Sequence, residues 1–144
     1  MEDLGTAIGR NSQLSELVLQ HSTPNIPVID LRNFARGLAF NRSIQKLKIT
    51  SGWTHSDHEA WEHLTRFFID NEAFESLEIN MRLNVGNHRE LVSALQSFVS
   101  LKEFKLYNHY PRNNSVYVDD IIEALIGHHT GLKKLTIKGM HNEG

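Results

Sequence analysis

The sequence is first informative through the residue types that it lacks. It contains no cysteine among its 144 residues, which excludes a disulfide framework and any chemistry that needs a thiolate. No apolar run approaches the ~20 residues that a membrane-spanning helix requires. The first ten residues include the acids Glu2 and Asp3 and do not resemble a secretory signal. These features predict a location in the cytoplasm or the nucleus.

The chain also lacks a large excess of either positive or negative charge. The formal net charge is only −2, which is too small to indicate a nucleic acid or an anionic membrane as a partner. The hydrophobic fraction of 40% and the charged fraction of 22% are ordinary for one globular domain. We therefore expect a single domain over residues 1–144 that binds neither nucleic acid nor membrane.

One pattern of apolar residues occurs five times along the chain. It consists of an apolar residue, two variable residues, a second apolar residue, one variable residue and a third apolar residue. The five segments begin at Leu14, Ile44, Phe74, Leu101 and Leu132, so the steps between them are 27 to 31 residues. The alternation in the second half of each segment predicts a short strand.

Each strand segment is preceded by apolar residues at helical spacing. Ten residues upstream of the five starts stand Leu4, Phe34, Leu64, Leu91 and Ile122. Six residues upstream stand Ile8, Leu38, Phe68, Leu95 and Ile126. Positions three or four residues apart share one face of a helix, so each unit is predicted to be a helix followed by a strand.

Polar residues mark where these helices begin and end. Asn11, Asn41 and Asn71 each stand three residues before a strand segment, where the helix ends and the chain must reverse. Asn87 has the spacing of a capping box with Glu90, and Asp119 is a candidate cap for the fifth helix. The sequence thus predicts five units joined by tight turns.

A Leu-x-x-Leu-x-Leu strand at a step of about 28 residues, preceded by an amphipathic helix, resembles the ribonuclease-inhibitor-like leucine-rich repeats. The resemblance covers about residues 4 to 138. It implies an α/β fold, a right-handed α/β solenoid or horseshoe segment of about five helix–strand repeats with a parallel sheet on the concave side. Within the single domain, the repeats are predicted at approximately 1–20, 30–50, 57–80, 88–107 and 118–138.

The family resemblance also implies binding through the concave side. We expect a non-enzymatic protein–protein interaction scaffold or adaptor that uses the concave sheet face and the rim loops. The strand positions that face this side carry more lysine than glutamate, which favours an acidic protein segment as partner. The expected partner-binding residues are Lys46, Lys48, Glu78, Lys105, Tyr107, Tyr110, Arg112, Lys134 and Lys138.

Two alternatives remain open from the sequence. The chain could be the substrate-recognition segment of a ubiquitin-ligase receptor, or a metal-dependent or hydrolytic enzyme. The strongest metal candidate is the group His55, His58 and His63, but a step of five residues from His58 to His63 turns the two rings apart on a helix. Because no nucleophile elbow, zinc-helix motif or phosphate loop occurs, no catalytic residue, metal ligand or cofactor is predicted.

The last strand segment raises a question of assembly. Leu132 to Ile137 is expected to be an edge strand guarded by Lys133, Lys134 and Lys138. Two readings fit such an open edge, an edge-strand homodimer or a fragment of a longer repeat array, and the sequence favours the fragment.

Overall fold

The computed structural model describes residues 4–20, 31–50, 58–81, 85–109 and 115–140. Within these ranges, five helices alternate with five strands. The helices are α1 (Leu4–Arg10), α2 (Leu31–Leu38), α3 (His58–Asp70), α4 (Val85–Leu95) and α5 (Ser115–His128). The strands are β1 (Glu16–Gln20), β2 (Lys46–Thr50), β3 (Ser76–Met81), β4 (Glu103–His109) and β5 (Lys134–Met140).

The five strands form one sheet in which every pairing is parallel and the spatial order follows the chain order, β1-β2-β3-β4-β5. Each helix packs beside the helices of the neighbouring units. Every crossover therefore moves the chain by one strand toward the same edge. This α/β arrangement is compatible with a solenoid.

The strand register confirms the apolar pattern that occurs five times in the sequence. The middle apolar residues of the segments align across the sheet in one row, which is Leu17, Leu47, Leu77, Phe104 and Leu135. The last apolar residues form a second row, which is Leu19, Ile49, Ile79, Leu106 and Ile137. Because side chains alternate along a strand, both rows lie on the same side of the sheet.

That side of the sheet is covered by the helices and forms the core. Leu47, Leu77 and Phe104 are 1%, 0% and 0% exposed, as the pattern predicts. They belong to one apolar cluster with the helix residues Leu64 and Trp61. Strand and helix thus bury their apolar sides against each other, and neither could bury its own alone.

Aromatic rings fill the middle of this core. Phe68 stacks on Phe74 and on Phe98, with ring centroids 5.0 and 4.9 Å apart. Phe67 meets Phe74 edge to face at 5.2 Å. Such pairs add to the stabilisation that burial of the ring area provides. Units three and four are joined through these rings.

The asparagines hold the turns between helix and strand, as predicted. Asn41 Oδ1 accepts hydrogen bonds from the backbone N–H groups of Ser43 and Ile44, both at 2.8 Å. Asn41 Nδ2 also donates to the carbonyl of Ile8 in the preceding unit, at 2.8 Å. Asn41 is fully buried, so each of these bonds replaces one that water would otherwise make. One side chain therefore both closes the turn and binds the preceding unit.

The fourth unit has Phe98 at this turn position and cannot make these bonds itself. His129, which holds the same turn position in the fifth unit, accepts the bond from Leu101 that Phe98 cannot accept and makes its own bond to the fourth unit. Its Nε2 donates to the carbonyl of Leu95 at 2.9 Å, and the N–H of Leu101 donates to its Nδ1 at 3.2 Å. Leu95 and Ile8 occupy the same position in their units, six residues before the strand segment. The contact between units is thus preserved with a different residue type.

Two predicted helix starts are wrong. Helix α4 begins at Val85 and α5 at Ser115, so Asn87 and Asp119 lie inside these helices and not at their caps. Glu90 does not fold back on the start of its own helix, because its carboxylate lies 2.6 Å from His58 Nδ1 of α3. In a capping box, Glu90 would bind the start of its own helix. Here it connects α4 to α3.

The predicted apolar side of the helices is buried in the middle units and exposed at the two ends. Leu4 is 63% exposed and Ile126 is 67% exposed, whereas Phe34, Leu64 and Leu95 are buried. The helices α1 and α5 each pack against one neighbouring helix in the described part of the chain, which leaves one flank of each uncovered.

Candidate binding face of the sheet

The side of the sheet opposite the helices is called the open face here, and it consists of the strand residues that alternate with the core rows. Three rows cross it from β1 to β5. They are Glu16, Lys46, Ser76, Glu103 and Lys134; Val18, Lys48, Glu78, Lys105 and Thr136; and Gln20, Thr50, Asn80, Tyr107 and Lys138. Where burial is described, these side chains are exposed or half-buried. The open face is therefore polar and accessible.

The structure places seven of the nine predicted binding residues together on this face. They are Lys46, Lys48, Glu78, Lys105, Tyr107, Lys134 and Lys138. The placement confirms that the lysines lie on the sheet and not on the helical side. Tyr110 and Arg112 lie outside the described residues.

Ion pairs neutralise the centre of the open face. Lys48 Nζ lies 3.0 Å from Glu78 Oε2 on the adjacent strand, and Lys105 Nζ lies 3.2 Å from Glu103 Oε1 on its own strand. The hydrogen bond from Lys105 to Glu103, reinforced by the negative charge of that carboxylate, raises the pKa of Lys105. Each of these two lysines is matched by a neighbouring carboxylate.

The lysines of the open face that form no ion pair lie on β2 and β5, with Glu16 and Glu103 as the register partners of Lys46 and Lys134. Within the described residues, Lys46, Lys134 and Lys138 form no ion pair, and all three are exposed. Lys133, in the turn before β5, is exposed as well. The sequence predicted the excess of lysine over glutamate on this face, and the structure shows which lysines carry it.

Tyr107 supplies an aromatic ring beside these charges. It is half-buried on β4, with Asn80 and Lys138 as its register partners on either side. A tyrosine in this position offers apolar area and a hydroxyl to the same ligand, a combination that is favoured at protein interfaces. The ring and the lysines of β5 form one continuous part of the open face.

The helical side differs in its charge and in the partners of its histidines. His58 Nδ1 contacts Glu90 of α4 at 2.6 Å and its Nε2 contacts Glu62 at 2.9 Å. The hydrogen bond to Glu90, followed by the charge of that carboxylate, raises the pKa of His58. His88 Nε2 of α4 lies 3.0 Å from Asp120 of α5. Histidine–carboxylate pairs thus join α3 to α4 and α4 to α5.

The histidine group that the sequence offered as a metal candidate is not assembled in the described structure. His55 lies outside the described residues, and His63 contacts Glu59 at 3.8 Å, whereas His58 contacts Glu62 and Glu90. Within the described residues, no three or more His, Asp or Glu side chains are grouped so that they could hold a metal ion.

Asn41 also begins a short glycosylation-acceptor sequence, Asn41-Arg42-Ser43. Its side chain is 0% exposed and already makes the hydrogen bonds of the turn. The folded protein therefore offers no access to this amide, and the asparagine is structural.

His129 is the one site-like residue that the sequence reasoning underestimated. It stands at the end of a helix, and it bridges two units from a buried position. The sequence indicates that an acceptor is missing, but not which residue supplies it. The series of turn asparagines breaks at Phe98, so the N–H of Leu101 needs an acceptor from elsewhere.

None of the described helices has both the length and the apolar character needed to cross a bilayer. Comparison with known proteins assigns no family to the chain: no protein-family model matches it, and no curated protein matches it significantly.

Proposed function

We propose that the protein is a non-enzymatic interaction scaffold of the leucine-rich-repeat kind, which binds an acidic segment of a partner protein on the open face. The observation that carries this proposal is the all-parallel, sequentially ordered sheet, with helices on one side and accessible charged side chains on the other. Such a sheet gives a rigid platform on which side chains from five strands stand in fixed rows.

The charge of the open face supports an acidic partner. Lys46, Lys134 and Lys138 are exposed and form no ion pair within the described residues, so a carboxylate can approach them without displacing an existing partner. Lys48 and Lys105 are already paired with glutamates and contribute less. Exposed charges of this kind mainly direct encounter and orientation, which makes binding sensitive to salt.

The proposal gives the protein no catalytic step. His58, His63 and His88 lie beside carboxylates of the same or the next helix, an arrangement suited to holding helices together. The absence of cysteine agrees with a reducing compartment, and we propose the cytoplasm or the nucleus as the place of action.

The test begins with selection of short random peptides displayed on phage against the 144-residue protein. The peptide that binds best is synthesised with a fluorescent label, and its Kd is measured by anisotropy at low and at physiological salt. We expect the selected peptides to be rich in Asp and Glu and to bind more weakly as salt rises.

Two double variants with the same change in charge decide where the peptide binds. Lys46→Glu with Lys138→Glu alters the open face, and Arg66→Glu with Arg89→Glu alters exposed residues of α3 and α4. The first pair should raise Kd on the order of tenfold, because two exposed attractions become repulsions, and the second pair should change it less than about twofold. Equal effects, or selected peptides without an acidic bias, would contradict the proposal.

A further inference from the structure

The two edges of the described sheet expose apolar positions that are buried in every internal unit. On β5, Leu135 is 39% exposed, although its register partners Leu47, Leu77 and Phe104 are buried. On α5, Ile126 is 67% exposed, and at the opposite end Leu4 of α1 is 63% exposed. The surface of α1 and β1 and the surface of α5 and β5 are thus the two complementary surfaces that meet wherever internal units stack.

We propose that the protein associates head to tail with a second copy of itself, with β1 of one copy adding in parallel to β5 of the other. The occupant of the β5 edge is thus the β1 edge of an identical chain. The contact continues the stacking already present between units, and Lys134 is the one lysine that it shares with the acidic partner proposed for the open face.

The register of the sheet fixes which residues would meet. Each internal pairing aligns the same positions of successive units, so the next step places Glu16 of one copy beside Lys134 of the other. Leu17 then stands beside Leu135, and Leu19 beside Ile137. Both apolar rows of the core continue across the new contact, and α1 with Leu4 approaches α5 with Ile126.

Charge complementarity supports this direction of pairing. The row that contains Glu16 and Lys134 already places opposite charges side by side in register, at Glu16–Lys46 and at Glu103–Lys134, and in the next row Lys48 and Glu78 approach to 3.0 Å. Glu16 and Lys134 are both exposed on the open face and are opposite in charge. An antiparallel dimer of two β5 strands centred on Thr136 would instead bring Lys134 of one copy opposite Lys138 of the other, and like charges directly opposite each other are destabilising.

The geometry also determines the kind of assembly. A head-to-tail contact uses two different surfaces, so each added copy leaves one free β1 edge and one free β5 edge. Such heterologous contacts form rings if the rotation closes and open chains if it does not. The average mass should therefore rise beyond that of a dimer as the protein concentration increases.

Sedimentation velocity on the full chain over a wide concentration range tests the proposal. Glu16→Lys and Lys134→Glu should each weaken association, on the order of tenfold in the association constant, because each puts two like charges side by side. The double variant carrying both changes restores an opposite pair and should recover most of the association. Ile126→Lys should weaken association in either background, and Arg66→Glu is the charge control away from both edges.

The outcomes separate the possible contacts. Circular dichroism first establishes that each variant keeps its secondary structure, which is expected because all the altered side chains are exposed. A monomer at every concentration would overturn the proposal. So would Lys134→Glu strengthening association while Glu16→Lys has no effect, since that pattern belongs to the antiparallel β5 dimer.

Discussion

His129 joins two units through hydrogen bonds that require a neutral imidazole. Its Nδ1 accepts from the N–H of Leu101, so Nδ1 carries no proton, and Nε2 donates to the carbonyl of Leu95. A proton added to Nδ1 would turn the acceptor into a donor and break the bond to Leu101. Burial of the ring, aided by the charge of His128, lowers the pKa of His129. The geometry and the direction of the shift therefore agree.

This pKa predicts that acid weakens the fold. Below the ordinary value of 6.5, the unfolded chain takes up a proton at His129 that the folded protein takes up only at lower pH. Stability from this residue is thus lost as the pH falls from 6.5 toward the folded pKa. Urea denaturation at a series of pH values should show this loss, and His129→Asn, which has no titrating ring, should reduce it.

His58 provides a control of the opposite sign. Its pKa is raised by Glu90, so its pair contributes most below 6.5 and less as the pH rises through the folded pKa. The difference in stability between the wild type and His58→Gln should accordingly shrink with rising pH. If His129→Asn and His58→Gln altered the pH dependence in the same direction, the assignment of the His129 tautomer would be wrong.

Single residues also show the limit of prediction from sequence. The turn role of Asn41 follows from its position before a strand segment, because asparagine satisfies a chain reversal locally. The role of His129 depends on Phe98 of another unit, so it emerges only when the two units are placed side by side. Local chemistry was readable from the sequence, and exchange of a hydrogen bond between units was not.

At the scale of elements, the position of a strand in the sheet should determine how much its apolar residues contribute. Leu77 and Leu135 share one register row, but Leu77 is fully buried and Leu135 is 39% exposed on the edge strand. Leu77→Ala should lower the free energy of unfolding by about 2–5 kcal/mol. Leu135→Ala should cost less than about 1 kcal/mol, because less of its surface leaves water.

Urea denaturation of the two alanine variants at a concentration where the protein is monomeric gives both values. Equal losses would show that the strands do not differ in burial as described. A loss below about half a kcal/mol for Leu77→Ala would show that the register of the repeat is wrong.

The helices α1 and α2 approach so closely that only glycine fits between them. A Cβ on Gly37 would lie 2.0 Å from the backbone carbon of Gly5, and one on Gly9 would lie 2.2 Å from the carbonyl oxygen of Gly37. Gly37→Ala must push the two helices apart, which should cost about 1–3 kcal/mol.

Gly127 in α5 is the matched control, because a Cβ there meets nothing within 4 Å. Gly127→Ala should be neutral or stabilise the protein by up to about 1 kcal/mol, since alanine favours a helix more than glycine does. Thermal unfolding of both variants is sufficient. Similar effects on Tm would contradict the close approach of α1 and α2.

The elements themselves were largely predictable. Apolar spacing placed all five strand segments in the register that the sheet shows, because burial on one side of a strand leaves little freedom. The starts of α4 and α5 were wrong because Asn87 and Asp119 have the chemistry of caps without occupying cap positions. Glu90 was expected to serve its own helix, and its partner His58 lies 32 residues away.

At the scale of the whole molecule, the two sides of the sheet differ in charge. The open face carries Lys46, Lys134 and Lys138 without ion pairs in the described residues. On the described helices α3 to α5, carboxylates outnumber arginines. The open face and the surface of α3 to α5 therefore differ in the sign of their excess charge, and a charged partner would distinguish them.

The alternation along each strand predicted which residues lie on the open face. It did not predict which of their charges are neutralised by ion pairs. Counting variable positions gives every lysine the same weight. Glu78 and Glu103 neutralise Lys48 and Lys105 because of the strand register and the reach of the side chains. Those are properties of the assembled sheet, so the sequence could assign residues to the face without ranking them.

The central claim is that the open face is the binding surface, and a titration followed by NMR tests it most directly. The 15N-labelled protein is titrated with the best acidic peptide from the selection, at a protein concentration where it is monomeric. We predict that the amide signals of Lys46, Lys134 and Lys138 shift together with those of their neighbours on β2, β4 and β5. Shifts confined to the helices, around Arg66 and Arg89 for example, with the strands unchanged, would contradict the account.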